Sequence, residues 1–463
     1  MREMIYDPHP APVPEPLFTM DSVDEMEKSP VYMLEVNGAP ETVYHTDVFD
    51  YAPVVVDDPA GGIHVRLEIA RPFREVTVRP SSRCIVPKVD GQTVTFTFPS
   101  LQKVTVELDG DKQSPLFLFC QKRYEKPANA TIVFEKGKIY NVGTLELTEN
   151  DVVYLEEGSI VLGKVRADHA DNITITGNGI ICGAPWHLPE SNAHHFFLFF
   201  TWCRNLTLEG FTAVDGPSWH LVPAACDNVV VRDVNVMSRE VTGDGIDITS
   251  CRHVLVEDCF FRAADDCICI KAHGVGGVTD VVRDVKDVTA RRCVIWDAEP
   301  GNAIEIGYGL CCREVCDLHF EDIDIVRCEY EGNMGGACMS IHQADTAYIH
   351  DIHYDNIRVE QAEQKLFDIK VLDCKYTMTP SHSKGRVEDI HYSNIKVLNG
   401  EFPVSLVRGF ELSYCESRPV NLFFDNIEIL GHRCTSVLDM HMVAELAHDI
   451  YVDGRKFCER RKF

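Results

Sequence analysis

The sequence predicts an all-β protein, a right-handed parallel β-helix with an N-terminal β-sandwich module. Three observations carry that expectation. Apolar residues alternate at period two over much of the chain, and no helical period interrupts them. Beyond the first third, a polar pair followed by a short alternating strand recurs, with its asparagine or equivalent at Asn172, Asn205, Asn228 and His253. The steps are 33, 23 and 25 residues. Repeats of this length, built from short strands alone, fit stacked coils, because each coil leaves its apolar side chains uncovered until the next one stacks on it.

The elements follow in chain order. Residues 1–30 are rich in Pro, Glu and Asp and read as an extended arm. Residues 31–130 contain alternating runs at 63–69, 93–98 and 104–108, separated by Gly, Pro and Asp, as in an antiparallel β-sandwich. This module reads as an accessory domain without catalysis. Residues 131–463 form the β-helix, where strands of successive coils pair in parallel about 4.8 Å apart. Small thiols such as Cys251, Cys259, Cys267, Cys269 and Cys293 suit a narrow tube interior. The pairs Asp355-Asn356, Ser393-Asn394 and Asp425-Asn426 fit stacked turn asparagines.

Composition narrows the partners. A net charge of −28 leaves no positive reserve for nucleic acid and counts mildly against a polyanionic substrate. Nineteen cysteines without paired C-x₂-C spacing read as reduced thiols, not as a disulfide framework or a zinc site. His194-His195 and the pair His350 and His353 lack an evident third ligand and read as ordinary polar residues. No metal and no cofactor is implied. No secretory signal and no run of about 18 apolar residues is visible, so a cytosolic protein is expected unless a leader has been removed. The oligomeric state is open.

Two acidic turns carry the chemistry. Gly243-Asp244-Gly245-Ile246-Asp247 ends one coil, and Asp265-Asp266-Cys267 ends the next, 21 residues after Asp244. That step is close to one coil, so Asp244 and Asp265 are expected above one another, with Lys271 the one lysine beside them. Crowded carboxylates repel, and at least one keeps its proton near neutrality. Glycoside hydrolysis needs that mixture: a protonated carboxyl for the leaving oxygen, and a carboxylate to activate water or attack the sugar.

These residues resemble the polygalacturonase family of glycoside hydrolases, family 28, which carries Asn-Thr-Asp-Gly-Ile-Asp followed by Asp-Asp-Cys. Gly216-Pro217-Ser218-Trp219-His220-Leu221 is similar to the family's Ser-Pro-x-Trp-x-Leu. The resemblance implies Asp265 as general acid, Asp244 and Asp266 acting on water, and inversion at the anomeric carbon. The chain departs from the family at Gly301-Asn302-Ala303, where Gly-His-Gly is usual. It departs again at Ser340-Ile341-His342, where Arg-Ile-Lys grips a sugar carboxylate. With the charge of −28 these departures point to a neutral α-glucan, and Asn302 and the N-terminal sandwich look more like the dextranase and isopullulanase family, family 49.

Further candidates for sugar contact are Asn302, Glu305, His342, Lys271, Trp219, Tyr308 and Asp247. Glu305 alternates with Ile304 and Ile306 and is expected to point outward. His342 reads either as a hydroxyl ligand or as part of a solvated turn. Trp219 and Tyr308 offer aromatic walls, Trp219 equally well as packing. Asp247 reads equally as a turn anchor. The competing readings are a pectin hydrolase of the polygalacturonase type, a polysaccharide lyase or epimerase, and a non-catalytic carbohydrate-binding β-helix.

Overall fold

The structure is a computed structural model that describes residues 16–186, 196–275, 278, 280–329, 335–380 and 382–457. Two five-stranded sheets precede a 32-stranded sheet, wound as a right-handed parallel β-helix. Among the described residues the helices are three short 3-10 turns, and none is long and apolar enough to cross a membrane.

The first two sheets face each other as a sandwich. One is built around Tyr32–Val36, Ile63–Ile69 and Thr93–Phe98, the other around Asp50–Val55, Lys103–Leu108 and Leu116–Gln121. Alternation puts Leu34, Val65, Leu67 and Phe96 of one sheet against Val54, Val104, Val106 and Leu118 of the other. The sandwich is not wholly antiparallel as expected, since Leu116–Gln121 pairs in parallel with Asp50–Val55. All six residues of Leu116–Gln121 are buried. The reason is that its outer face also packs: Phe117 lies 5.1 Å from Phe260 and 5.4 Å from Trp296 of the tube. The described part of the arm reaches the tube, with Leu17 N–H donating to Pro185 O and Asn141 Nδ2 donating to Met20 O, and then joins the sandwich, where Ser29 N–H donates to Val43 O and Glu27 O accepts from His45 N–H.

In the tube, three strands make a coil. Isoleucines and valines fill the interior, each buried side chain stabilising the fold by about 1.5–3 kcal/mol. The recurrent asparagines occupy left-handed backbone positions, which Asn tolerates. They form a ladder in which each Nδ2 donates to the side chain one coil back: Asn172 to Asn150, Asn205 to Asn172, Asn228 to Asn205. A second ladder, Asn426 to Asn394 to Asp355, does the same in the later coils. The described cysteines are free thiols. Cys251, Cys259, Cys267 and Cys293 line the interior as expected, but Cys269 does not. It alternates with the inward Ile268 and Ile270, so its thiol faces out of the tube.

Candidate active site

One sheet of the tube carries a repeated triplet, an isoleucine between two outward residues: Asp247-Ile248-Thr249, Cys269-Ile270-Lys271, Glu305-Ile306-Gly307, Ser340-Ile341-His342 and Asp368-Ile369-Lys370. Strand register aligns them rung on rung. Just before these strands the chain turns a corner, and the corners bear Asp244, the Asp265-Asp266 pair and Asn302. Tight backbone approach shapes two of these corners. A Cβ on Gly245 would lie 2.3 Å from Cys267 O, and one on Gly301, whose φ is +136°, would lie 2.4 Å from the Asp265 carbonyl carbon.

The local step is 22 residues, since Ile246 pairs with Ile268, and Gly245 N–H donates to Asp266 O. Asp266, not Asp265, therefore stacks on Asp244, and Asp265 stands beside them. One carboxylate oxygen from each of Asp244, Asp265 and Asp266 lies within 4.8 Å of the others. Asp244 and Asp266 are buried, while Asp265 is partly open to solvent.

Burial, with Asp247 and Asp265 close by, pushes the Asp244 carboxyl well above the usual carboxylate range. Burial and the neighbouring Asp266 do the same to Asp265. Asp247 is raised to about 7 by burial, with Lys271 working against the rise. The buried Lys271 ammonium lies 3.4 Å from Asp266, 3.6 Å from Asp247 and 3.8 Å from Asp244. Its Nζ is 2.8 Å from Cys269 Sγ and 5.1 Å from the centre of the Trp219 ring. Burial lowers its pKa, but Cys269 and the three carboxylates outweigh that and raise it. The cluster is thus a shared proton store around one cation.

Asn302 does not point at open space for a sugar. Its Nδ2 donates to Asp266 Oδ1 at 2.7 Å. Its Oδ1 accepts from Ala337 N–H at 2.9 Å and from Ser340 Oγ. Both ends of the amide are committed, so it orients Asp266.

Glu305 and His342 also differ from expectation. Glu305 leaves the tube wall, as alternation requires, but is completely covered. His342 lies on the strand Ala337–Gln343, not in a solvated turn. Its Nδ1 is 2.9 Å from Glu305 and its Nε2 3.0 Å from Asp368. Burial opposes the imidazolium, yet the two carboxylates prevail and push its pKa up to about 9. Lys365 and Lys370 both reach Asp368, at 3.2 and 2.8 Å. Cations are therefore present one coil beyond Ser340-Ile341-His342.

Trp219 stacks on Phe196, 4.8 Å between ring centres and 15° between planes. Tyr308 lies 4.9 Å from the His342 ring. Both rings are half-buried beside the carboxylates. Sequence reasoning missed Asp368, Lys365, Lys370, Ser340 and the outward role of Cys269. The repeated isoleucine triplet is the signal that finds four of them.

Two groups of side chains have metal-like proximity besides the aspartates. Asp244, Asp247 and Cys269 converge, but the Lys271 ammonium already occupies that space. Glu314, Cys316 and His350 converge on the tube's flank, so His350 does have neighbours of ligand type, contrary to expectation. Its Nε2 is 3.0 Å from Glu314, an ordinary hydrogen-bond distance, and His353 Nε2 lies likewise 2.8 Å from Asp351. His194 and His195 lie outside the described residues.

Residues 86–442 match the profile of the family described as Glycosyl hydrolases family 28. Among curated relatives, a probable polygalacturonase of Arabidopsis thaliana is 26% identical over 200 residues, 42% of this chain and 40% of that protein. An exopolygalacturonase of Zea mays is 25% identical over 280 residues, 53% of this chain and 62% of that protein. The chain thus spans less than two thirds of the length of these relatives. Among solved structures, Dex49A from Penicillium minioluteum superposes with a TM-score of 0.59 at 12% identity, covering 95% of this chain and 96% of its own. A hyperthermoactive exopolygalacturonase from Thermotoga maritima gives 0.52 at 15% identity, covering 70% and 84%. The expected preference for a neutral α-glucan finds no support in the names of the sequence relatives.

Proposed function

Because the chain belongs to glycosyl hydrolase family 28, we propose that it hydrolyses a glycosidic bond of a pectic, uronate-bearing glycan. The observation that carries the reading is the convergence of Asp244, Asp265 and Asp266 within 4.8 Å, with only Asp265 reaching partly into solvent. Asp265, kept protonated by burial and by Asp266, donates its proton to the leaving glycosidic oxygen as the C1–O bond breaks. Asp266, oriented by Asn302 and Lys271, takes a proton from the water whose oxygen bonds to C1. Asp244 holds that water. A water about 2.8 Å from each of two carboxylates bridges a gap of this size without strain. The proton gained by Asp266 returns to Asp265 between turnovers.

Inversion is the outcome the family resemblance implies; the span between carboxyls does not carry it. Inverting pairs usually stand about 6.5–9.5 Å apart and retaining pairs about 5–5.5 Å, measured between carboxyl groups, whereas the 4.8 Å here is the span of one oxygen from each. NMR of the first product's anomer decides between the two outcomes. The uronate in the substrate is supported by the relatives' names and by Lys365 and Lys370 near the site.

The test is sugar release from oligogalacturonides by the wild type and by Asp265→Asn. A loss of at least about 10²-fold in kcat is expected, the usual scale for a general acid. Equal turnover removes Asp265 from the role, and an unsaturated uronate product absorbing at about 235 nm replaces hydrolysis by elimination.

A further inference from the structure

A thiol inside the tube is explained as packing, but Cys316 is not inside. In the strand Glu314–Cys328, Val315 points inward and is fully buried, so Glu314 and Cys316 on either side of it project from the tube wall. Register sets His350 opposite Cys316 on the next coil, with Ile349 inward beside it. The carboxylate of Glu314, the thiol of Cys316 and the imidazole of His350 thereby converge, one ligand atom of each lying within 4.8 Å of the other two. Cys316 is 3% exposed and forms a floor. The Glu314 and His350 side chains, 29% and 23% exposed, form a rim open to water.

Several features suit this trio to a metal ion. Sulfur, imidazole nitrogen and carboxylate oxygen are the donors that zinc-class ions take, with water in a fourth position. Ligand atoms around a tetrahedral zinc stand about 3.5 Å apart. His350 Nε2 and Glu314 Oε1 are already 3.0 Å apart, and about 1 Å of side-chain rotation brings the thiol to the same range. The His350 ring is held in place by Tyr348, stacked on it at 4.2 Å. Tyr348 is held in turn, its O–H donating to Glu388 at 3.0 Å and its ring lying 4.8 Å from the Arg386 guanidinium. Glu314, Asp317 and Asp351 place negative charge around the thiol. Lys286, opposite Cys316 on the preceding coil, is exposed, so its ammonium can stay in water. Burial and then Glu314 push the thiol up to about 11, so it gives up its proton as the metal–sulfur bond forms.

We propose that Glu314, Cys316 and His350 form a binding site for a divalent metal ion of the zinc class. The ion would tie two successive coils together, on a different sheet from the one aligned with the aspartates. The site is independent of the hydrolase reading above.

The test uses the full chain, stripped with a chelator and titrated with Co²⁺, whose thiolate complexes show near-ultraviolet charge transfer. One equivalent should bind with a thiolate band, Zn²⁺ should displace it, and zinc should raise the melting temperature. Cys316→Ser should abolish the band. His350→Ala and Glu314→Ala should each weaken zinc binding at least about 10-fold, while Asp265→Asn binds as the wild type does. A wild type without the thiolate band, or a band that survives Cys316→Ser, would overturn the site. Loss of binding in Asp265→Asn would place the ion at the aspartates instead. Should Cys316→Ser fail to fold, the two rim variants decide, since they replace partly exposed side chains, and wild-type affinity in both would overturn the site.

Discussion

The amide of Asn302 offers the sharpest test of how the carboxylates are held. Its orientation is dictated by its neighbours: two donors, Ala337 N–H and Ser340 Oγ, meet one end, and a carboxylate meets the other. Only one flip satisfies all three. Replacing Asn302 by Ala removes the 2.7 Å hydrogen bond to Asp266 Oδ1, and hydrogen bonds to charged groups contribute about 1.5–3 kcal/mol. If all of that is expressed at the transition state, kcat falls about 10- to 150-fold, at 1.36 kcal/mol per decade. KM should barely move, because the buried amide commits both lone pairs of its oxygen to Ala337 N–H and Ser340 Oγ and points its nitrogen at Asp266. Ala337 N–H and Ser340 Oγ also lose their acceptor, so thermal stability falls too. Ser340→Ala is the control, because it disturbs the network but leaves Asn302 on Asp266. Asn302→Asp adds a carboxyl at Asp266's own hydrogen-bonding distance, so the pair shares a proton to higher pH and the acid limb of the kcat profile moves up. Steady-state kinetics with oligogalacturonide across pH reads all three variants. A raised KM with unchanged kcat in Asn302→Ala would return Asn302 to the sugar and refute the positioning argument.

Two further predictions concern stability. His342 is raised to about 9 in the fold, against about 6.5 for an unperturbed imidazole. Its stabilising contribution, on the order of 3 kcal/mol, is therefore complete below about pH 6.5 and is lost as pH rises through about 9. Denaturant melts should show the gap between wild type and His342→Gln narrowing over that window; a gap independent of pH would mean the histidine is neutral throughout. Phe117→Ala cuts the seam between sandwich and tube, where Phe117 meets Phe260 and Trp296, and should cost about 3–5 kcal/mol. Calorimetry should then show the melting temperature lowered or the transition split.

The fold was legible because it rests on local rules repeated many times. Period-two alternation assigns the inward isoleucines, and the asparagine ladder needs only that Asn172, Asn205 and Asn228 sit at equivalent turns. What local rules could not reach was the outside of the elements. The continuous apolar run Leu116-Phe117-Leu118-Phe119-Cys120 marks a strand buried on both faces, but it does not say that the outer face meets Trp296 of the tube, because that contact joins segments far apart in sequence. The parallel pairing of the same strand with Asp50–Val55 is also set by topology, not by either strand's pattern.

The site shows the same boundary. Coil length brought Asp244 within reach of Asp265 and Asp266, but a one-residue error in the step, 21 for 22, named the wrong stacking partner. Side-chain period two makes such a slip decide which residue lies directly above another. Alternation correctly sent Glu305 out of the tube, and the error there lay in equating outward with wet, while Cys269 was expected inside the tube and His342 at a sugar hydroxyl or in a solvated turn. An outward face stays open only if no later segment folds back over it. Here Tyr308 lies over the His342 ring and Tyr376 packs on Tyr308, so the would-be sugar contacts Glu305 and His342 form, with Asp368, a buried, charge-paired support. Asp265 can hold a proton beside two other aspartates because burial disfavours its charged form and Asp266 adds like charge.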